Sequence, residues 1–190
     1  MRDAAVQFHK EATMPKKVHP TATVRGDGIP LIIEKKSKLY FQNVSDSVVF
    51  IFKTLLGIDA TPKKLFRRRL TSLPNDIIIK LDFAADLTGH FAFFLSLKTA
   101  FEICNRLVPG IGYQYFDKDH LDVIGEMGNM ISGNAIGRLQ NIDSAIDLSI
   151  PSMTAFHTIL ESESRYWSFS GNFDVDIGQV GILLAIRKDK

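Results

Sequence analysis

Apolar positions recur every three to four residues from Lys38 to Gly57, placing Phe41, Val44, Val48, Ile51, Phe52 and Leu55 along a helical face. Gly57, Asp59 and Pro62 supply a stop, so the spacing predicts a first helix ending there. The period then shortens. Residues 76–83 (DIIIKLDF) and 88–97 (TGHFAFFLSL) are β-branched and aromatic, and are separated by a turn at Ala84 to Asp86, which predicts a β-hairpin. A short helix over 98–107 (KTAFEICNRL) is closed by Pro109 and Gly110, and a long helix follows over 118–139. Residues 144–150, 153–160, 164–173 and 179–187 read as four strands, with Pro151 between the first two. The order α, ββ, αα, ββββ indicates an α+β fold, a largely antiparallel sheet with helices packed on one face. Residues 1–37 hold several prolines, glycines and lysines and one apolar run, PLII at 30–33. They are expected to form a basic arm or an added edge strand, ahead of a domain spanning 38–190.

Composition narrows the class. The 190 residues are 45% apolar and 23% charged, the balance of a globular protein, and no apolar run is long enough for a membrane helix. The first residues lack the apolar block of a secretory signal, and the single Cys104 excludes an intrachain disulfide framework, so the expected compartment is the cytoplasm. Charge is lopsided: 14 basic and 6 acidic residues up to Thr71 give +8, while 9 basic and 15 acidic residues after it give −6. Lys63, Lys64, Arg67, Arg68 and Arg69 could neutralise phosphates, but no nucleic-acid motif accompanies them. They read first as a solvated basic segment, with a patch for an acidic protein as the intermediate reading.

Conventional catalytic constellations are absent. His9, His19, His90, His120 and His157 have no partner at zinc spacing, there is no Walker loop or nucleophile elbow, and Cys104 reads as a buried small hydrophobe. The informative segment is Asp119 to Gln140. At about 100° per residue, Leu121, Ile124, Gly128, Ile131, Ala135 and Leu139 form the expected core stripe. Asp122, Glu126, Asn129 and Gly133 fall on another stripe about 130° away. Val123, Met127 and Met130 flank it as an expected apolar shoulder for a partner, and Gly133 leaves room for a close approach. Gly125 and Gly128 each cost about 0.5–1 kcal/mol in a helix interior, which calls for a packing or docking reason. Spacing alone is weak, because Glu102 and Asn105 repeat the Glu-x-x-Asn pattern in a plain context; they lack the preceding acid and the glycines.

The stretch DVIGEMGNMISG (Asp122 to Gly133), followed by the strand LSIP ending at Pro151, resembles the signature of the CheC/CheX/FliY family of chemotaxis phosphatases. The flanks LLGID (Leu55 to Asp59), LTGHFAFFLS running into KTAFEICNRLV, and GQVGILLAI extend the resemblance over residues 38–187. The first helix carries Phe50 and Lys53 where CheC-like members repeat the Glu and Asn pair, so the similarity is greater to the CheX-like branch. That resemblance implies hydrolysis of the aspartyl phosphate of a CheY-like response regulator, with Asn129 orienting the water and Glu126 pairing with the receiver's lysine. It implies no cofactor of the chain's own, with Mg2+ supplied by the receiver, and a homodimer with one site per subunit. Asp122 would support the site as an acid near the helix start. The alternative is a non-catalytic receiver-binding module using the same face.

Overall fold

The computed structural model describes residues 28–63, 66–67, 77–110, 115–154 and 165–188. The first helix, α1 (Leu31–Ile51), starts well before Lys38, and a π-helical turn at Phe52–Leu56 ends at Gly57, whose φ of 68° is left-handed. The expected edge strand at 30–33 is therefore corrected: Pro30 precedes the helix in extended backbone, and residues 31–37 form its first two turns. Ile33, Ser37, Tyr40 and Phe41 continue the buried stripe of Val44, Val48 and Ile51 upstream. The signal was hidden because a serine serves as a core position among four charged residues; its hydroxyl is satisfied by donating to the Ile33 carbonyl at 2.6 Å. The rest of the expected arm, residues 1–27, lies outside the described residues.

Two short strands, β1 (Thr61–Pro62) and β2 (Phe66–Arg67), lead to the hairpin β3 (Ile77–Ala84) and β4 (Thr88–Leu95). Helices α2 (Leu97–Leu107) and α3 (Lys118–Gln140) follow, then β5 (Asp147–Leu148), β6 (Ser152–Thr154), β7 (Tyr166–Val175) and β8 (Gly178–Arg187). The strands form one sheet in the order β1-β7-β8-β4-β3-β5, with β2 also on β7 and β6 also on β3, and every described pairing is antiparallel. This is the expected α+β architecture. The expected strand over 153–160 is described only to Thr154, and most of the basic run lies outside the described residues.

Alternation along the strands decides where the helices sit. Ile77, Ile79, Leu81 and Phe83 on β3, Phe91, Phe93 and Leu95 on β4, and Val180, Ile182, Leu184 and Ile186 on β8 turn to one face. There they join the buried stripes of α1 and α3 in a single core. The two helices pack along each other, and the Tyr40 hydroxyl on α1 donates to Asp143 Oδ2, just past α3, at 2.8 Å. The N-terminal end of the site helix is fixed locally. The Asp117 carboxylate accepts from the Asp119 and His120 amides, His120 completes the capping box, and its buried ring packs on Phe101 and Phe116.

Candidate functional site

The site is built on the outer face of α3. Asp122, Glu126, Asn129 and Gly133 are all exposed, as the polar stripe required. The Asn129 side chain donates from Nδ2 to Glu126 Oε2 at 3.2 Å, the one-turn contact that i, i+3 spacing allows. Holding the NH2 in this way turns the amide oxygen away from Glu126, where it can accept from an incoming group. Glu102 and Asn105 on α2 are half-buried instead.

Two expectations for α3 are corrected. Met127 is 2% exposed and belongs to the core, so it offers no surface to a partner, whereas Leu121, expected inside, is 38% exposed. The buried face is wider than periodicity gave, Ser132 joining it on one flank and His120 and Met127 on the other. Val123 on that flank is half-buried against the core, and of the expected shoulder only Met130, 41% exposed, stands out. Asp122 lies in the second turn, and the cap is supplied by Asp117, whose carboxyl is held below its usual range chiefly by its hydrogen bonding with the His120 side chain.

The glycines divide by function. A Cβ on Gly128 would stand 3.1 Å from Ile79 Cγ2, 3.3 Å from Ile79 Cδ1 and 3.7 Å from Pro151 Cβ, so its absence seats α3 on β3. Gly125 and Gly133 face open space, with nothing within 4 Å of a Cβ. Counting at about 100° per residue, Gly125 falls between Gly128 and Asn129, leaving a notch beside the amide.

Pro151 reaches α3 through a break in strand pairing. Leu148 faces Phe83, the Ser149 amide donates to the Asp82 carbonyl at 2.9 Å, and Ser152 faces Lys80. Ile150 and Pro151 therefore share the single opposite residue Leu81, which is a β-bulge. Proline suits it, having no N–H to give the ladder. The bulge turns Pro151 onto Gly128 and leaves Ile150 85% exposed. Sequence reasoning singled out Pro151 and missed Ile150; a proline within a strand pattern was the available signal.

Phe50 on α1 is exposed, and Lys53 in the π-helical turn pairs with Asp59 at 2.7 Å, so these positions present no second amide and carboxylate pair. Among the described residues no three His, Cys, Asp or Glu side chains cluster as metal ligands, and no helix is long and apolar enough to cross a membrane. Cys104 is fully buried, its thiol pushed up to about 11 by burial.

An antiparallel sheet carrying paired helices, with a polar ridge on α3, defines the class. A CheC-like superfamily protein from Shewanella sp. PV-4 has the same fold at a TM-score of 0.67 and 18% identity, covering 78% of this chain and 97% of that one. A chemotaxis protein CheX from Desulfovibrio desulfuricans superposes with a TM-score of 0.64 at 15% identity, over 78% of this chain and 99% of that one. A CheX–CheY–BeF3–Mg2+ complex from Borrelia burgdorferi gives a TM-score of 0.61 at 17% identity, over 78% and 98%. Residues 77–165 match the family model described as chemotaxis phosphatase CheX. The CheY-P phosphatase CheX of Thermotoga maritima is 23% identical over 109 residues, 57% of this chain and 70% of that protein. The chain is thus similar to CheX-like chemotaxis phosphatases in the sequence of residues 77–165 and shares its fold with CheC-like and CheX structures.

Proposed function

We propose that this protein is a phosphatase that hydrolyses the aspartyl phosphate of a CheY-like receiver domain, using Asn129 and Glu126. The observation that carries the reading is the exposed pair on α3, an amide anchored to a carboxylate at 3.2 Å beside open space. The family match supports it, as do the relative named a CheY-P phosphatase and the neighbour in complex with CheY.

Hydrolysis needs a water in line with the scissile P–O bond, and the phosphoryl oxygens must be stabilised as charge redistributes. The receiver supplies Mg2+ and a lysine for that stabilisation. What remains is positioning. The Asn129 carbonyl accepts a hydrogen bond from the water, directing a lone pair at phosphorus, and the neutral amide does not repel the phosphoryl group. The P–O bond to the receiver's carboxylate breaks, leaving inorganic phosphate and a free aspartate. Glu126 pairs with the receiver's lysine and sets the register of the two proteins. The chain works as a homodimer with one such site per subunit, in the cytoplasm.

Phosphate release from a phosphorylated CheY-like receiver tests this. Asn129→Ala should lower turnover on the order of 10²-fold or more with binding nearly retained, because positioning effects are of that size. Full activity in that variant would overturn the assignment. Glu126→Gln should weaken association and flatten its dependence on salt; an unchanged salt response would exclude the ion pair. Binding without release by the wild type would favour the receiver-binding module instead.

A further inference from the structure

We infer that Ile150 is an aliphatic anchor that seats in an apolar depression of the receiver beside the phosphorylated aspartate, setting affinity and partner choice. This rests on the reading of Asn129 and Glu126 as the receiver-facing pair.

Three observations carry it. Ile150 is the most exposed large aliphatic side chain among the described residues, at 85%. Isolated exposed apolar residues need no explanation, but this one is held out by a bulge whose next residue, Pro151, packs on α3 at Gly128. Gly128 precedes Asn129 in the chain, and standard bond lengths keep the Cα atoms of Ile150 and Gly128 within about 10.5 Å. The second observation is direction. Pro151 meets α3 on the Gly128 side, and around the helix the sequence is Gly128, Gly125, Asn129, then Glu126. Ile150 therefore flanks the amide, across the Gly125 notch, while the opposite flank of the helix is closed off by the burial of Met127.

The third is rigidity. The bulge is fixed on both sides by pairing to β3, and the Asp82 amide donates to Ser149 Oγ at 2.9 Å. Fixed β-branched side chains lose little rotamer freedom on docking. A protein laid over the Asn129 ridge meets a charged and polar stripe with one aliphatic knob at its edge. Interfaces concentrate binding energy in such anchors when the partner offers a matching pocket. The expected occupant is thus an apolar depression on the receiver, next to the charged pocket that Asn129 and Glu126 enter.

Affinity for a receiver domain loaded with beryllofluoride and Mg2+ tests the anchor apart from turnover. Ile150→Asp should weaken binding about tenfold, which equals about 1.4 kcal/mol, and raise KM with kcat within twofold. Ile150→Val should stay within twofold of the wild type in both. Unchanged affinity in Ile150→Asp overturns the anchor whatever the turnover. Wild-type binding without phosphate release removes the catalytic reading while the affinity comparison still decides the anchor, and absence of wild-type binding overturns both. Sedimentation of the same variants distinguishes a second copy as occupant: dissociation of a dimer by Ile150→Asp, with receiver affinity unchanged, overturns the proposal.

Discussion

Gly125 and Gly128 sit one turn apart in the same helix, and replacing each with alanine separates helix propensity from packing. Both substitutions gain the same intrinsic term, about 1 kcal/mol for Gly to Ala in a helix interior. At Gly125 the new methyl meets nothing within 4 Å, so Gly125→Ala should stabilise by about 0.5–1 kcal/mol. That raises the melting temperature by about 2–4 °C per kcal/mol for a chain of this size. At Gly128 the methyl stands 3.1 Å from Ile79 Cγ2 and 3.3 Å from Cδ1. Cγ2 is bonded to the Ile79 Cβ and moves only with χ1 or the backbone. That backbone is paired to Phe93 on one side and Met153 on the other, and the side chain is fully buried. Overpacking of this kind costs about 1–3 kcal/mol, enough to cancel or exceed the propensity gain. Gly128→Ala should therefore be neutral to destabilising by about 2 kcal/mol. Urea unfolding followed by circular dichroism measures both, and their difference reports the overlap alone, since propensity cancels. Equal stabilisation by the two variants would show that α3 is not seated on β3 at Gly128, and the placement of Asn129 beside Pro151 would fall with it.

Two further outcomes follow from buried polar groups. Tyr40→Phe leaves buried Asp143 without the hydroxyl that donates to it at 2.8 Å, and should cost about 1.5–3 kcal/mol in denaturant unfolding, as expected for a bond to a charged acceptor. Desolvation pushes the Asp143 carboxyl up, but Tyr40, Lys36 and the Ala145 amide together hold it below the usual carboxylate range. Its stabilising contribution is thus present above about pH 4 and lost as pH falls through the lowered value, so the cost of Tyr40→Phe should shrink in strong acid. His90 is 2% exposed, its Nε2 has no hydrogen-bond partner, and burial, aided by Lys80 and opposed by Asp82, lowers its pKa to about 4. The unfolded imidazole takes a proton below about pH 6.5 and the folded one resists it, so stability should fall from pH 6.5 towards 4 by up to about 3 kcal/mol. His90→Leu should flatten that slope; an unchanged profile would mean that another group is responsible.

How much of the site was legible depends on which interactions set each residue. The Glu126 and Asn129 ridge was legible because helix periodicity is local: once Lys118–Gln140 is a helix, residues three apart must point together. The hairpin of β3 and β4 was legible for the same reason, its β-branched and aromatic runs and their turn lying in neighbouring residues. Met127 and Leu121 were misplaced because a helix's own sequence does not say how wide its buried stripe is. That depends on what packs against it, and both α1 and α2 pack on α3. The start of α1 was hidden by Ser37, a polar core position satisfied only once the helix exists.

Residue order alone thus determined most of the helical and extended segments, the spacing of amide and carboxylate on one turn, and the resemblance from which a role for them is proposed. The tertiary structure decided which side of α3 faces water, that Gly128 is a contact and Gly125 a notch, and that the bulge at Ile150 and Pro151 stands beside Asn129. Periodicity acts over a few residues along one chain direction, whereas burial and bulge placement are set by segments more than twenty residues apart meeting in space.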